Sequence, residues 1–362
     1  MHYHIENINV SSPIAVQGQV VEVVLNNDYQ LTRKDVTILL AVTVAVTATG
    51  AALYAAGHNE SFYSGSEAVR GVFEAITQLG NEVLYLVVLS LIYLSYDKRF
   101  GRRLCLLFFF MVYLTDFLKE FFRDPRPPSN LEREDPYTSY GFPSGHTTTS
   151  ITFYGYIMLS HLGEARARIP MIIVCGLIVV LVPISRLIIG VHDVQDVVGG
   201  AVIALTILVA YMVLLPRVSP TVKSWSLGTQ LGIGVPVALL IWLVGGMLIG
   251  LRHPGDVLIA LEETSMGAGL LLGCAIAFPL EEALVGYRPE LMTRVGRVMA
   301  GVIGLPVTVV VYVGMSSISE ALLPGHLEGM LTYSMLLVVL TFLLPMVLKM
   351  FMGTDGPDLT DG

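Results

Sequence analysis

Ten apolar runs of about 20 residues punctuate this chain of 362, and each is long enough to cross a bilayer as a helix. They fall near 36–56, 80–96, 104–121, 146–162, 169–189, 193–216, 228–250, 257–280, 298–316 and 328–348. Only 14% of the residues are charged and 54% are hydrophobic, against roughly 25% charged in an ordinary soluble domain. The fold class expected is therefore an all-α, multi-pass integral membrane protein. Met1 to Glu6 lack the charged start and apolar core of a cleavable secretory signal, so the first span is expected to serve as the insertion signal.

Four regions follow from the pattern. Residues 1–35 form a short cytoplasmic segment, in which the alternation around Val20 to Leu25 could make a strand. Residues 36–216 form a six-span unit, and residues 217–350 add about four further spans after a break rich in Pro, Ser and Thr from Pro216 to Gly228. Residues 351–362 are an acidic tail expected to be disordered. Between the first two spans, Val69, Val72, Phe73 and Ile76 recur at helical spacing and predict a helix lying on the outer surface.

A formal charge of −8 argues against nucleic acid as a partner. Cys105, Cys175 and Cys274 each lie within a span and form neither a metal-ligand spacing nor an even set for disulfides; they read as small packing residues. No metal or cofactor is expected.

The polar residues that interrupt the apolar pattern fall in three clusters, all within the first six spans and all at span ends: Lys119 with Arg126 and Pro127; Pro143, Ser144, Gly145 and His146; and Ser185 and Arg186 with His192 and Asp196. With the N-terminus in the cytoplasm, 14 of the 21 Lys and Arg residues lie on the cytoplasmic side. Arg70, Lys119, Arg123, Arg126, Arg133, Arg186 and Arg252 lie outside, an asymmetry that fits the positive-inside rule. The same ladder brings all three clusters to the extracytoplasmic face, with both termini cytoplasmic.

Gathered cations at a membrane boundary need partners, and an anion between Lys119, Arg126 and Arg186 would satisfy all three. Ser144 is a suitable N-cap for the fourth span, Gly145 permits close approach, and the first free N–H groups of that helix would point at a bound anion. His192 and Asp196 are four apart, so on a helix they share a face, and the carboxylate can hold one ring nitrogen protonated while the other attacks. His146 is suited to protonate a departing alkoxide and then to activate water. The chemistry implied is phosphate-ester cleavage beside a bilayer.

These residues resemble the type 2 phosphatidic acid phosphatase superfamily, which also includes the vanadium haloperoxidases. The family pattern of Lys, six residues, Arg-Pro; Pro-Ser-Gly-His; and Ser-Arg, five residues, His, three residues, Asp is met at every defining position. The resemblance covers roughly residues 60–216. It implies a six-helix core, a phosphohistidine intermediate and no metal requirement. By residue, it implies phosphate binding by Lys119, Arg126, Ser144, Gly145 and Arg186, acid/base work by His146, and attack by His192 oriented by Asp196. The expected substrate is a lipid phosphate or polyprenyl pyrophosphate, drawn from the membrane lipids; the oligomeric state is left open. A haloperoxidase is disfavoured because those enzymes are soluble. The alternative is a non-enzymatic phospholipid-binding carrier or scaffold, against which stand the two histidines and Asp196, since binding alone needs only the cations.

Blander readings apply to the other polar residues. Asp193 reads as a solvated headgroup-zone residue, and Arg123 and Asp124 as a mutual pair or as pocket walls. His58, His161, His253 and His326 read as interfacial. Glu262, Glu263, Glu281 and Glu282 read as span-end residues in the headgroup zone. Gly246 with Gly250 and Gly269 with Gly273 read as close-packing pairs. The loop from Asp124 to Phe142 is expected to form a rim over the site.

Overall fold

The computed structural model describes residues 31–127, 139–161 and 168–352, and a two-residue antiparallel ribbon pairing Ala15–Val16 with Gln19–Val20. The strand expected at Val20 to Leu25 thus touches the ribbon only at Val20; residues 21–30, most of the N-terminal segment and the acidic tail lie outside the described residues. The remaining regular structure among the described residues is helical, as a membrane requires when each backbone donor must find its acceptor within its own segment.

The helices of the first half are α1 (Arg33–Ala55), α2 (Glu67–Thr77), α3 (Glu82–Leu91), α4 (Lys98–Phe122), α5 (Gly145–Ser160), α6 (Ile169–Ile188) and α7 (Val194–Ser224). Those of the second half are α8 (Leu227–Arg252), α9 (Val257–Glu263), α10 (Ser265–Leu284), α11 (Arg294–Leu322), α12 (Gly325–Val338) and α13 (Leu344–Met352). A 3-10 turn, Gln78–Gly80, joins α2 to α3, and π-helical turns extend α3 over Ile92–Tyr96 and link α12 to α13 over Val339–Leu343. Among the described residues, seven helical segments are long and apolar enough to cross a membrane unaided: α1, α6, α7, α8, α10, α11 and the α12–α13 rod.

The other three expected spans differ for separate reasons. The segments Glu67–Gly80 and Glu82–Tyr96 pass the same test only together, bent by 43° at Asn81. Helix α2 therefore meets α3 obliquely, across a bend of 43°. Helices α4 and α5 fall short in hydropathy or length because they are the interior of the bundle. Their neighbours cover them, and α5 buries Thr147, Thr148, Ser150 and Thr152 where a lipid-facing helix would carry leucines. Tyr85, Phe108 and Phe153 pack among these inner helices with ring centroids 4.8 to 5.5 Å apart.

The break expected between the halves is short. Helix α7 runs on through Pro216 and Pro220, and only Trp225 and Ser226 separate it from α8. The span expected at 257–280 is interrupted at Thr264, which divides α9 from α10. Helix α10 packs against α12, α8 and α4, so the second half clasps the first through α4.

The glycine pairs act as expected. A Cβ on Gly246 or Gly250 would meet Leu261 at 2.5 Å or Val257 at 2.2 Å. One on Gly269 or Gly273 would come within 2.6 Å of the Met330 carbonyl or 2.9 Å of the Ser334 carbonyl, so α12 can approach α10 only because glycine is there.

At the end of α4 remote from Lys119, the contact between halves is ionic. Lys98 Nζ lies 2.8 Å from Glu281 Oε2, with both side chains fully buried, and Arg102 also pairs with Glu281. Glu282 joins Lys98 at 3.2 Å and Arg102 at 2.7 Å. Glu281, expected in the headgroup zone, is thus a buried hub that also accepts the Tyr287 N–H at 2.7 Å.

Candidate active site

Helix α4 delivers the first two cations. Lys119 sits in its last turn, and the helix ends where Arg123 adopts a left-handed conformation at φ 50°, its N–H donating to the Lys119 carbonyl at 2.8 Å. The reversal brings Arg126 beside Ser139. Arg126 Nε donates to the Ser139 carbonyl at 2.8 Å and Nη2 to Ser139 Oγ at 2.9 Å, and Lys119 Nζ reaches the same Oγ at 3.5 Å. Ser139, which no motif singles out, gathers both cations.

The second cluster opens α5. Ser144 occupies the N-cap, as expected, but its hydroxyl makes no cap hydrogen bond; Oγ instead accepts from Thr147 Oγ1 at 3.0 Å. Its N–H donates to the Asp196 carbonyl at 3.1 Å, which fastens the start of α5 to α7. A Cβ on Gly145 would stand 3.7 Å from Lys119 Nζ, so the N-terminus of α5 and the Lys119 ammonium adjoin the same space. Positive charge and unpaired helix N–H groups there suit an anion.

The third cluster carries the imidazole. His192 Nδ1 lies 2.9 Å from Asp196 Oδ2, and both residues are buried. The reason differs from the shared helix face that the spacing predicts. His192 precedes the helix, Asp193 is the N-cap of α7, and Asp196 is its third residue. Asp193 Oδ1 accepts the Asp196 N–H at 2.9 Å while Asp196 Oδ2 accepts the Asp193 N–H at 3.3 Å, a reciprocal capping box. The carboxylate that orients the imidazole is thereby held by the helix start itself. Asp193 is thus a half-buried N-cap, and burial raises its carboxyl pKa above its ordinary value. Gly141 completes the enclosure, because a Cβ there would lie 2.8 Å from Asp196 Oδ2.

The other ring nitrogen, His192 Nε2, faces Arg126 Nη1 at 3.4 Å. Arginine has only donors, so Nε2 is the acceptor and the proton resides on Nδ1, toward Asp196. Burial, then the charges of Arg186, Arg126 and Lys119, hold this imidazole well below its ordinary pKa. The folded chain thus binds the His192 proton more weakly than the unfolded chain, and stability should decline as pH falls through about 6.5, where unfolded histidine charges. Thermal midpoints between about pH 7 and pH 5 should fall more steeply for the wild type than for His192→Gln; equal slopes would contradict the buried neutral state.

Arg186, in the last turn of α6, is buried and donates from Nη1 to Thr77 Oγ1 at 2.8 Å. His146, in the first turn of α5, packs against Gly80, and the same three cations act on its ring. The structure therefore draws Lys119, Arg126, Ser144, Gly145, His146, Arg186, His192 and Asp196 into one neighbourhood at one end of the bundle. Among the described residues, no group of three or more His, Cys, Asp or Glu side chains could hold a metal ion.

Residues that sequence reasoning passed over or read as bland border this neighbourhood. Arg123 and Asp124 do not pair with each other. Arg123 bridges Asp256 at 2.6 Å, ahead of α9, and Glu120 at 3.3 Å, while Asp124 accepts from Gln195 Nε2 at 2.9 Å. His253 lies 3.2 Å from the Phe121 carbonyl. The second half thus touches the rim of the site at the end of α4. Residues 128–138 of the expected rim loop lie outside the described residues.

An oriented imidazole facing a cluster of cations is an arrangement suited to phosphoryl groups. Residues 100–220, which contain every one of these site residues, match the family model of the PAP2 superfamily. Among its relatives, sphingosine-1-phosphate phosphatase 1 of Rattus norvegicus is 29% identical over 172 residues, 45% of this chain and 39% of the relative. Phosphatidylglycerophosphatase B of Bacillus subtilis is 36% identical over 138 residues, 36% of this chain and 66% of the relative. The chain matches less than two fifths of the length of the sphingosine-1-phosphate phosphatases of rat and human, at 39% and 36%. The crystal structure of the first transmembrane PAP2 type phosphatidylglycerolphosphate phosphatase from Bacillus subtilis aligns with 53% of this chain and 95% of its own, at 25% identity and a TM-score of 0.36.

Proposed function

We propose that this protein is a membrane phosphatase that hydrolyses a lipid phosphate through a phosphohistidine on His192, without a metal, at the extracytoplasmic face. The observation that carries the proposal is the His192 ring, fixed on Asp196 through Nδ1 at 2.9 Å with Nε2 turned toward Arg126 at 3.4 Å.

In the first step, the Nε2 lone pair attacks phosphorus, a P–N bond forms, and the P–O bond to the lipid breaks. His146 gives its proton to the departing lipid oxygen. In the second step, His146 takes a proton from water, the water oxygen attacks phosphorus, and the P–N bond breaks, returning the lone pair to Nε2. Lys119, Arg126, Arg186 and the N–H groups at the start of α5 stabilise the charge that develops on the phosphoryl oxygens. Loss of one such donor typically costs about 100- to 1,000-fold in rate.

The names of the relatives favour a phosphate monoester of a lipid, a long-chain base phosphate or a phosphatidylglycerol phosphate, over a polyprenyl pyrophosphate. The outer-face assignment rests on the distribution of Lys and Arg, with both termini cytoplasmic. Residues 36–216 form the catalytic unit, and residues 217–350 brace α4, which carries Lys119.

Purified full-length protein should release phosphate from sphingosine 1-phosphate or phosphatidylglycerol phosphate in mixed micelles, with the rate unchanged by a chelator. Absence of release from these lipids and from polyprenyl pyrophosphate would contradict the enzymatic reading in favour of a lipid-binding role. Loss of activity in chelator, restored by a divalent metal, would contradict the metal-free route.

A further inference from the structure

We propose that the elbow between α2 and α3, residues Thr77 to Gly80, is a positioning element for the site: Thr77 sets the Arg186 guanidinium and Gly80 sets the His146 ring. This rests on the phosphatase reading for the roles of those two groups. Neither elbow residue belongs to the three clusters, and the elbow lies outside residues 100–220.

Thr77 and Gly80 are both buried. Thr77 Oγ1 accepts from Arg186 Nη1 at 2.8 Å, and this bond fixes the orientation of a planar fork whose value to a phosphate lies in that orientation. At Gly80, a Cβ would stand 2.9 Å from His146 Cδ2, 3.4 Å from Cγ, and 3.1 Å from Val182 Cγ1 of α6. Glycine is therefore required by the imidazole and not by the backbone, since the bend residue itself is Asn81.

The elbow is anchored on both sides. The Leu79 carbonyl accepts from Tyr154 OH of α5 at 2.8 Å, Asn81 N–H donates to the Gln78 carbonyl at 3.1 Å, and Asn81 Oδ1 caps α3 through Val83 N–H at 2.9 Å. It thus touches the helix that carries His146 and the helix that carries Arg186, and any displacement of it moves both groups. A misplacement of about 1 Å at a reacting centre can cost about 100-fold in rate.

A general acid matters most when the leaving group is poor, which distinguishes positioning of His146 from general damage. The tests use the full chain, an alkyl lipid phosphate and an aryl phosphate whose phenolate leaves unaided. Gly80→Ala should slow single-turnover release of the alcohol from the lipid about 10- to 100-fold and that of the phenolate from the aryl ester less than about 3-fold, as is expected of His146→Ala, because this measurement excludes the water step that His146 serves on every substrate. Gly71→Ala, on α2 with nothing within 4 Å of the added carbon, should leave both rates unchanged. Thr77→Val should weaken binding of inorganic phosphate about 10-fold, and Thr77→Ser should restore it.

Wild-type single-turnover release for Gly80→Ala, or equal losses of that release on both esters while His146→Ala discriminates between them, would overturn the Gly80 assignment. Wild-type phosphate affinity in Thr77→Val would overturn the Thr77 assignment, and this reading holds even if Gly80→Ala fails to fold. If His146→Ala itself fails to discriminate, the acid role in the proposed function falls, while the phosphate-binding series still decides the elbow.

Discussion

Replacing His192 by Ala should reduce phosphate release by about 1,000-fold or more on every substrate, the order lost when a nucleophile is removed from a hydrolytic site. Its neighbours are occupied otherwise, His146 with proton transfer in the proposed mechanism. The cations have no lone pair to offer, and Asp196 is committed to the capping box and to Nδ1. The fold should survive, because His192 lies in the turn before α7 and Arg126 keeps its bonds to Ser139 and to the Val191 carbonyl. Phosphate release beside circular dichroism and gel filtration in detergent checks this. Folded His192→Ala protein with wild-type turnover would refute the mechanism.

The largest expected effect on stability is remote from the site, at Glu281. In Glu281→Ala, Lys98, fully buried, and Arg102 would lose their shared carboxylate, and the Tyr287 N–H would lose its acceptor. Breaking a buried ion pair from one side costs about 3 to 5 kcal/mol, because the remaining charge stays desolvated. Glu282 keeps Lys98 company at 3.2 Å but is half exposed, so it offsets only part of the loss. The thermal midpoint in detergent should drop sharply, whereas protein still folded at low temperature should retain turnover, since the cluster occupies the opposite end of α4 from Lys119. Replacing Lys98 and Glu281 together by apolar residues should destabilise less than Glu281→Ala alone. An unchanged midpoint in Glu281→Ala would contradict the bracing role given to α10.

What could be read from sequence alone follows from how local each feature is. Spans are legible because a run of apolar residues carries its own signal, and the three clusters because each is defined by a spacing within one short segment. Helices α4 and α5 were found despite polar content, yet that content is what marks them as interior. The reading of Asp193 as a solvated residue leaves out its capping role, because α7 begins one residue later, at Val194; the spacing of three from Asp196 is the signal for a capping box. Ser139, Thr77 and Gly80 left no signal, since each matters only through a neighbour brought close by the fold. Glu281 is likewise mute in sequence, because its partner Lys98 lies 183 residues away.

The central claim is that phosphoryl transfer passes through nitrogen, and the stereochemistry at phosphorus tests it most directly. A substrate bearing an isotopically chiral thiophosphoryl group, hydrolysed in water of the third oxygen isotope, reports how many displacements occurred. Two in-line displacements, at His192 and then by water, should yield thiophosphate with net retention of configuration. Net inversion would mean that water attacks the ester directly, and the phosphohistidine route would be wrong.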